Sequence, residues 1–271
     1  DEKKKEEYTY VAKQNDDGTW VGVREGKGLV NWESTGNRKW VPTYVPKKDS
    51  DGVWQDALEG DVFSYDKNDV LEVKAQYIAK QNDDGSWIGV REGTETFYLE
   101  DQTISAHYTY VSKQNSLGDW RGVKEGPFEK TYQEQVLEGQ YIAKQNGNGS
   151  WKGVYVGDFI GFDSASFTMF SYTPKKSTDG HARWYSYVEG AVKKYYLNGN
   201  KHTEHTQVIK QTDIGGWQSV REGGYREYHY SSERISLSGS YAVKKVDGLW
   251  YGLVHGDWRR YSVGDGGVST L

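Results

Sequence analysis

The element Trp-x-Gly-Val-Arg-Glu-Gly sets an indole, a guanidinium and a carboxylate close together along the chain, and it recurs. It stands at Trp20–Gly26 and Trp87–Gly93, at Trp120–Gly126 with Lys124 for the arginine, and at Trp217–Gly223 with Ser219 for the first glycine. An indole face can stack on the apolar face of a sugar ring, and guanidinium and carboxylate groups can hydrogen-bond vicinal hydroxyls. The candidate ligand-binding set is therefore Trp20, Arg24, Glu25, Trp87, Arg91, Glu92, Trp120, Lys124, Glu125, Trp217, Arg221 and Glu222. One weak site per repeat would gain strength through multivalency. The competing reading makes the tryptophan the core of each repeat and Arg/Glu a cross-strand surface ladder. The indole persists where its partners do not: Leu58 takes the arginine place after Trp54, and Val254 and His255 follow Trp250.

A second group is the histidines. His107 stands just ahead of Tyr110, where the fourth repeat starts, and His181, His202, His205, His229 and His255 all fall in the sixth repeat or later. His202 or His205 beside Glu204, or His229 among Tyr225, Tyr228 and Tyr230, is a candidate catalytic base near an aromatic pocket. His202-Thr-Glu-His205 reads at first as a metal pair. On a strand, positions three apart face opposite ways, so no metal site is assigned. Asp16-Asp17 and Asp83-Asp84 suggest Ca²⁺, but equivalent turns carry Ser116-Leu117, Gly147-Asn148 and Ile214-Gly215. Turn chemistry accounts for these acids, and no cofactor is expected.

The elements that position these residues are repeats. Eight units of about 33 residues start near Tyr10, Tyr44, Tyr77, Tyr110, Tyr141, Tyr172, Gln207 and Tyr241. All eight keep a lysine (Lys13, Lys47, Lys80, Lys113, Lys144, Lys175, Lys210, Lys244), a tryptophan (Trp20 to Trp250) and a glycine (Gly26 to Gly256). The lysines either ring an opening that attracts anions, or pair with the Glu five residues after the tryptophan. Asn15-Asp16-Asp17-Gly18 suits a type I turn closed by a glycine with positive φ. That turn predicts Gln14 opposite Trp20, Ala12 opposite Gly22 and Tyr10 opposite Arg24. Val11, Lys13, Val21, Val23 and Glu25 then share the other face. Apolar alternation continues upstream through Leu71, Val73, Ala75 and Tyr77. An aromatic residue often follows the kept glycine by five positions, as Tyr65, Phe162 and Tyr261 do. A bulge at the glycine would keep that aromatic on the tryptophan's face.

The fold expected is all-β: eight tandem hairpins in an antiparallel up-and-down meander. Closure into one large barrel or two four-repeat barrels avoids exposed edges, with an eight-bladed propeller as the alternative. Residues 1–271 read as a single all-β repeat domain, with possible halves 1–139 and 140–271.

Composition narrows the function. The 271 residues contain no cysteine, 15% aromatic residues and a net charge of −5. Thiolate chemistry is excluded, no apolar run suits a membrane helix, and a mildly acidic chain is a poor partner for phosphate backbones. The expected function is multivalent, lectin-like carbohydrate binding. The alternatives are a cofactor-independent enzyme, for example a luciferase-like oxidation, acting on an aromatic small molecule inside a barrel, and a structural repeat protein without a ligand. Partners are glycans or a small aromatic molecule, without nucleic acid or membrane insertion. The sequon Asn148-Gly149-Ser150 favours a secreted protein.

Overall fold

The structure, a computed structural model, describes residues 5–132, 135–162, 164–232, 234–261 and 268–270. Strands and turns make up the described residues, with no helix among them. The chain divides into two compact units, Asp1–Thr131 with Gly149–Gly153, and Tyr132–Asn148 with Val154–Leu271.

In the first unit the hairpin register is the one the turn predicts: Tyr10 faces Arg24, Ala12 faces Gly22 and Gln14 faces Trp20. The turn closes through Asn15 N–H to the Thr19 carbonyl at 2.8 Å and Gly18 N–H to the Asn15 carbonyl at 3.0 Å. Gly18 carries φ 84°, a conformation that a side chain would strain. The Asp17 carboxylate accepts from the Thr19 amide (2.9 Å) and hydroxyl (2.6 Å), which holds its pKa below the usual carboxylate value. Asp84 closes its loop in the same way through Ser86, whereas Asp16 and Asp83 reach the following hairpin, at Lys48 and Gln114. The same register joins Leu71–Gln81 to Trp87–Arg91, and Ile104–Gln114 to Trp120–Tyr132.

The kept glycine is a bulge. Tyr110 faces Lys124, yet Tyr108 faces Phe128, so extra residues around Gly126 (φ 106°) are looped out. The second unit repeats this device. Its strands Ser166–Lys176, Trp184–Tyr196, Lys201–Gln211, Trp217–Tyr228, Ile235–Val246 and Leu249–Tyr261 pair antiparallel in sequence order. The register shifts again opposite Gly223 and Gly256. These strands are 11–13 residues long, longer than a four-stranded propeller blade needs.

Buried residues are mostly small or flat: Val62, Ala75, Ala79, Val90, Ala106, Val123 and Phe128 in the first unit, Tyr141, Val154, Phe159, Val192 and Val220 in the second. Such side chains suit the narrow space above a pleated surface.

Candidate functional site

The repeated tryptophans bind the preceding hairpin. In the first unit, the indole N–H groups of Trp54, Trp87, Trp120 and Trp151 donate to the carbonyls of Gln14, Lys48, Gln81 and Gln114 at 2.8–3.0 Å. In the second, Trp184, Trp217 and Trp250 donate to Gln145, Lys176 and Gln211 at 2.7–3.0 Å. The kept lysine of the preceding hairpin lies over each ring. Lys13 is 5.2 Å from the centroid of Trp54, Lys80 5.0 Å from Trp120, and Lys144 5.0 Å from Trp184. Four of the kept lysines also pair with the glutamate of their own motif: Lys47 with Glu59 at 2.8 Å, Lys113 with Glu125 at 2.9 Å, Lys210 with Glu222 at 3.7 Å and Lys80 with Glu92 at 3.8 Å. Lysine, tryptophan and glutamate thus form one cross-repeat fastening.

The position two after the tryptophan explains its glycine. A side chain at Gly122 would meet the Arg91 carbonyl at 2.7 Å, and one at Gly153 the Lys124 carbonyl at 2.6 Å. Where serine replaces glycine, it uses the same carbonyl. Ser186 donates to Tyr155 at 3.0 Å and Ser219 to Val188 at 2.8 Å. Asp56, at this position, forms a two-pronged pair with Arg24 at 2.9 Å.

The sequence motif is consequently split. Its Arg or Lys lies among tyrosines: Arg24 is 3.9 Å from the Tyr44 ring, Lys124 3.4 Å from Tyr108, and Arg221 5.6 Å from Tyr241. Its glutamates point to the opposite face, where Glu92 accepts from Ser112 at 2.5 Å and Glu222 lies 3.7 Å from Lys210. Trp20 differs from the other tryptophans, being 66% exposed.

Sequence reasoning missed Glu95. The residue eight after each tryptophan is otherwise Gly28, Val62, Phe128, Phe159, Val192, Tyr225 or Trp258. Glu95 is 2% exposed in that row. Arg91 meets it at 2.8 Å, and burial together with a hydrogen bond to Glu95 pushes Tyr110 up to about 12. A lone acid in an otherwise apolar column was the available signal.

The histidines are dispersed. His202 stacks on Tyr196 at 4.3 Å, while His205 lies 6.3 Å from Tyr225. Glu204 is engaged elsewhere, accepting from the Tyr228 hydroxyl at 2.7 Å and from Arg226 at 2.9 Å. Burial raises the Glu204 pKa, but these bonds and Lys201 outweigh it and lower it overall. Burial, then the Arg221 charge, pushes His205 down to about 4, and neither of its ring nitrogens has a hydrogen-bond partner. His229 likewise has an unpartnered Nε2. Among the described residues no group of three His, Cys, Asp or Glu could hold a metal ion.

Five strands of the second unit line a concavity of about 610 Å³. Lys193, Glu204, Arg226, Ser238 and Arg259 form one cross-strand row along it, with Asp257 and Tyr261 at its side. Val192, His205 and Tyr225 are the next residues along three of these strands, so their side chains face away from this row. The His205 imidazole is therefore on the other face of the sheet from these charges. Chemically, the concavity offers ammonium, guanidinium, carboxylate, hydroxyl and one phenol ring to a polar ligand. No protein-family model matches the chain, and no curated protein matches it either.

Proposed function

We propose that the protein binds a carbohydrate, and that it does so at one site, the concavity of the second unit. The observation carrying this reading is the row of opposite charges at a volume suited to one or two sugar rings. Glu204 already holds Arg226, which leaves Arg259, Lys193 and Asp257 available for hydroxyls, with Tyr261 as the ring surface. The multivalent form has less support, because seven indoles already donate their N–H to backbone. An extracellular setting accompanies this reading and rests on the Asn148 sequon alone. The test is a glycan-array screen followed by calorimetric titration of any hit. One site per chain, lost in Arg259→Ala and Tyr261→Ala but kept in Trp87→Phe, is the expected result. Three or more equivalent sites would return the function to the Trp/Arg/Glu repeats, and no glycan binding would remove the carbohydrate reading.

A second reading rests on His205. An imidazole held neutral and without partners beside Tyr225 is a proton acceptor placed in aromatic surroundings. It supports the alternative of an enzyme acting on an aromatic molecule. Thermal-shift screening with aromatic compounds, read against His205→Phe, tests it.

A further inference from the structure

The contact between consecutive hairpins has two different halves. One is the tryptophan. The other is the kept lysine, the carbonyl of the residue after it, and an aliphatic residue three positions after that hairpin's own tryptophan. This position is aliphatic and buried at Val23, Ala57, Val90, Val123, Val154 and Val220, and holds the half-buried Tyr187 in the sixth hairpin. The first and last hairpins each leave one half bare. On the first, Trp20 is 66% and Tyr10 61% exposed. On the last, the aliphatic position is Leu253, 42% exposed, beside exposed Tyr251, Val246 and Leu249. Lys244 faces Tyr251 across this hairpin as Lys13 faces Val21 in the first. Among the described residues no indole lies beneath Lys244.

An uncovered repeat interface is costly in water. The first and the last of these eight hairpins both present that interface. We infer that copies of this chain associate head to tail, with Trp20 of one copy packed under Lys244 and against Leu253 of the next. The Trp20 indole then donates to the Lys245 carbonyl, since Lys245 pairs with Trp250 as Gln14 pairs with Trp20. A second copy is the fitting occupant because this chain carries both halves, and six internal examples with an aliphatic residue at that place show that they match. The two faces differ, so the contact is heterologous and can propagate beyond a dimer.

Sedimentation velocity of the full chain over a wide concentration range tests this. Wild-type mass rises with concentration. Trp20→Ala and Leu253→Lys each abolish this self-association, and because both side chains are exposed, circular dichroism and melting temperature stay unchanged. A mixture of the two variants forms a one-to-one complex that grows no further, since each supplies the half the other lacks. A wild type that stays monomeric overturns the inference, as do variants that still associate or a mixture that fails to pair. Failure here leaves the carbohydrate reading intact, because the concavity uses neither terminal face.

Discussion

The first and third hairpins are nearly the same sequence in different surroundings. Over Tyr10–Gly26 and Tyr77–Gly93 they differ only at Val11/Ile78, Thr19/Ser86 and Val21/Ile88. Register and turn hydrogen bonds are the same in both. Trp20 is nevertheless exposed, whereas Trp87 is half-buried and donates to the Lys48 carbonyl. A methyl group on Gly22 would meet only the Tyr10 ring, at 3.8 Å, whereas one on Gly89 would come within 2.9 Å of the Leu58 carbonyl oxygen. The difference teaches that the motif's conformation is local but its stabilising contact belongs to the preceding hairpin.

The same substitution in both hairpins should sharpen that contrast. Trp87→Ala removes a packed ring and its hydrogen bond, at a cost of about 3 kcal/mol. Trp20→Ala should change stability by less than about 0.5 kcal/mol. Urea unfolding of both variants measures this, and equal losses would break the comparison. Gly89→Ala forces a methyl toward the Leu58 backbone and should cost about 1–3 kcal/mol, while Gly22→Ala meets ordinary van der Waals contact and stays within about 0.5 kcal/mol.

A second contrast lies along the interior column of each unit. Glu95 is buried with partners, and His205 is half-buried, its ring nitrogens covered but without hydrogen-bond partners. Glu95→Ala strands Arg91 and the Tyr110 hydroxyl and should cost about 2 kcal/mol, less than a fully buried pair because Arg91 is partly exposed. His205 behaves oppositely. Its folded pKa of about 4 lies below the ordinary 6.5, so the unfolded chain binds the extra proton between those values. Stability is therefore retained above pH 6.5 and falls as pH drops towards 4. After allowance for partial exposure, the loss is about 1–2 kcal/mol. His205→Phe should flatten that part of the stability-versus-pH curve, measured by melting between pH 4 and 7. An unchanged slope would assign the acid sensitivity to other groups.

The hairpin itself was legible in the sequence because its determinants are close in the chain. Asn15, Gly18 and the alternation around Trp20 fix turn and register within one unit, and Gly126 marks its own bulge through positive φ. The staple from Trp54 to Gln14 spans forty residues and depends on how hairpins pack, which no local pattern encodes. Among the candidate site residues, the pairing of the kept lysine with the motif's glutamate was legible from strand parity, as Lys47–Glu59 illustrates. The concavity was not, because Lys193, Glu204, Arg226 and Arg259 come from four strands whose bulges reset the parity.

The smallest expected effect concerns the lysine, and it separates an inner repeat from the last one. Lys80 lies 5.0 Å from the Trp120 ring and 3.8 Å from Glu92. Replacing it with methionine keeps the aliphatic stem over the indole and removes only the charge. The cation–π contact and a partly exposed ion pair together contribute about 0.5–1 kcal/mol. Salt screens the ion pair more than the ring contact, so the difference between Lys80→Met and wild type should narrow in high salt without vanishing. Lys244→Met, with no indole beneath it among the described residues, should leave the monomer's stability unchanged. Lys244 lacks the glutamate as well, since His255 stands in the place of Glu92, so a Lys244→Met loss as large as that of Lys80→Met would mean that the lysine stabilises its hairpin without either partner.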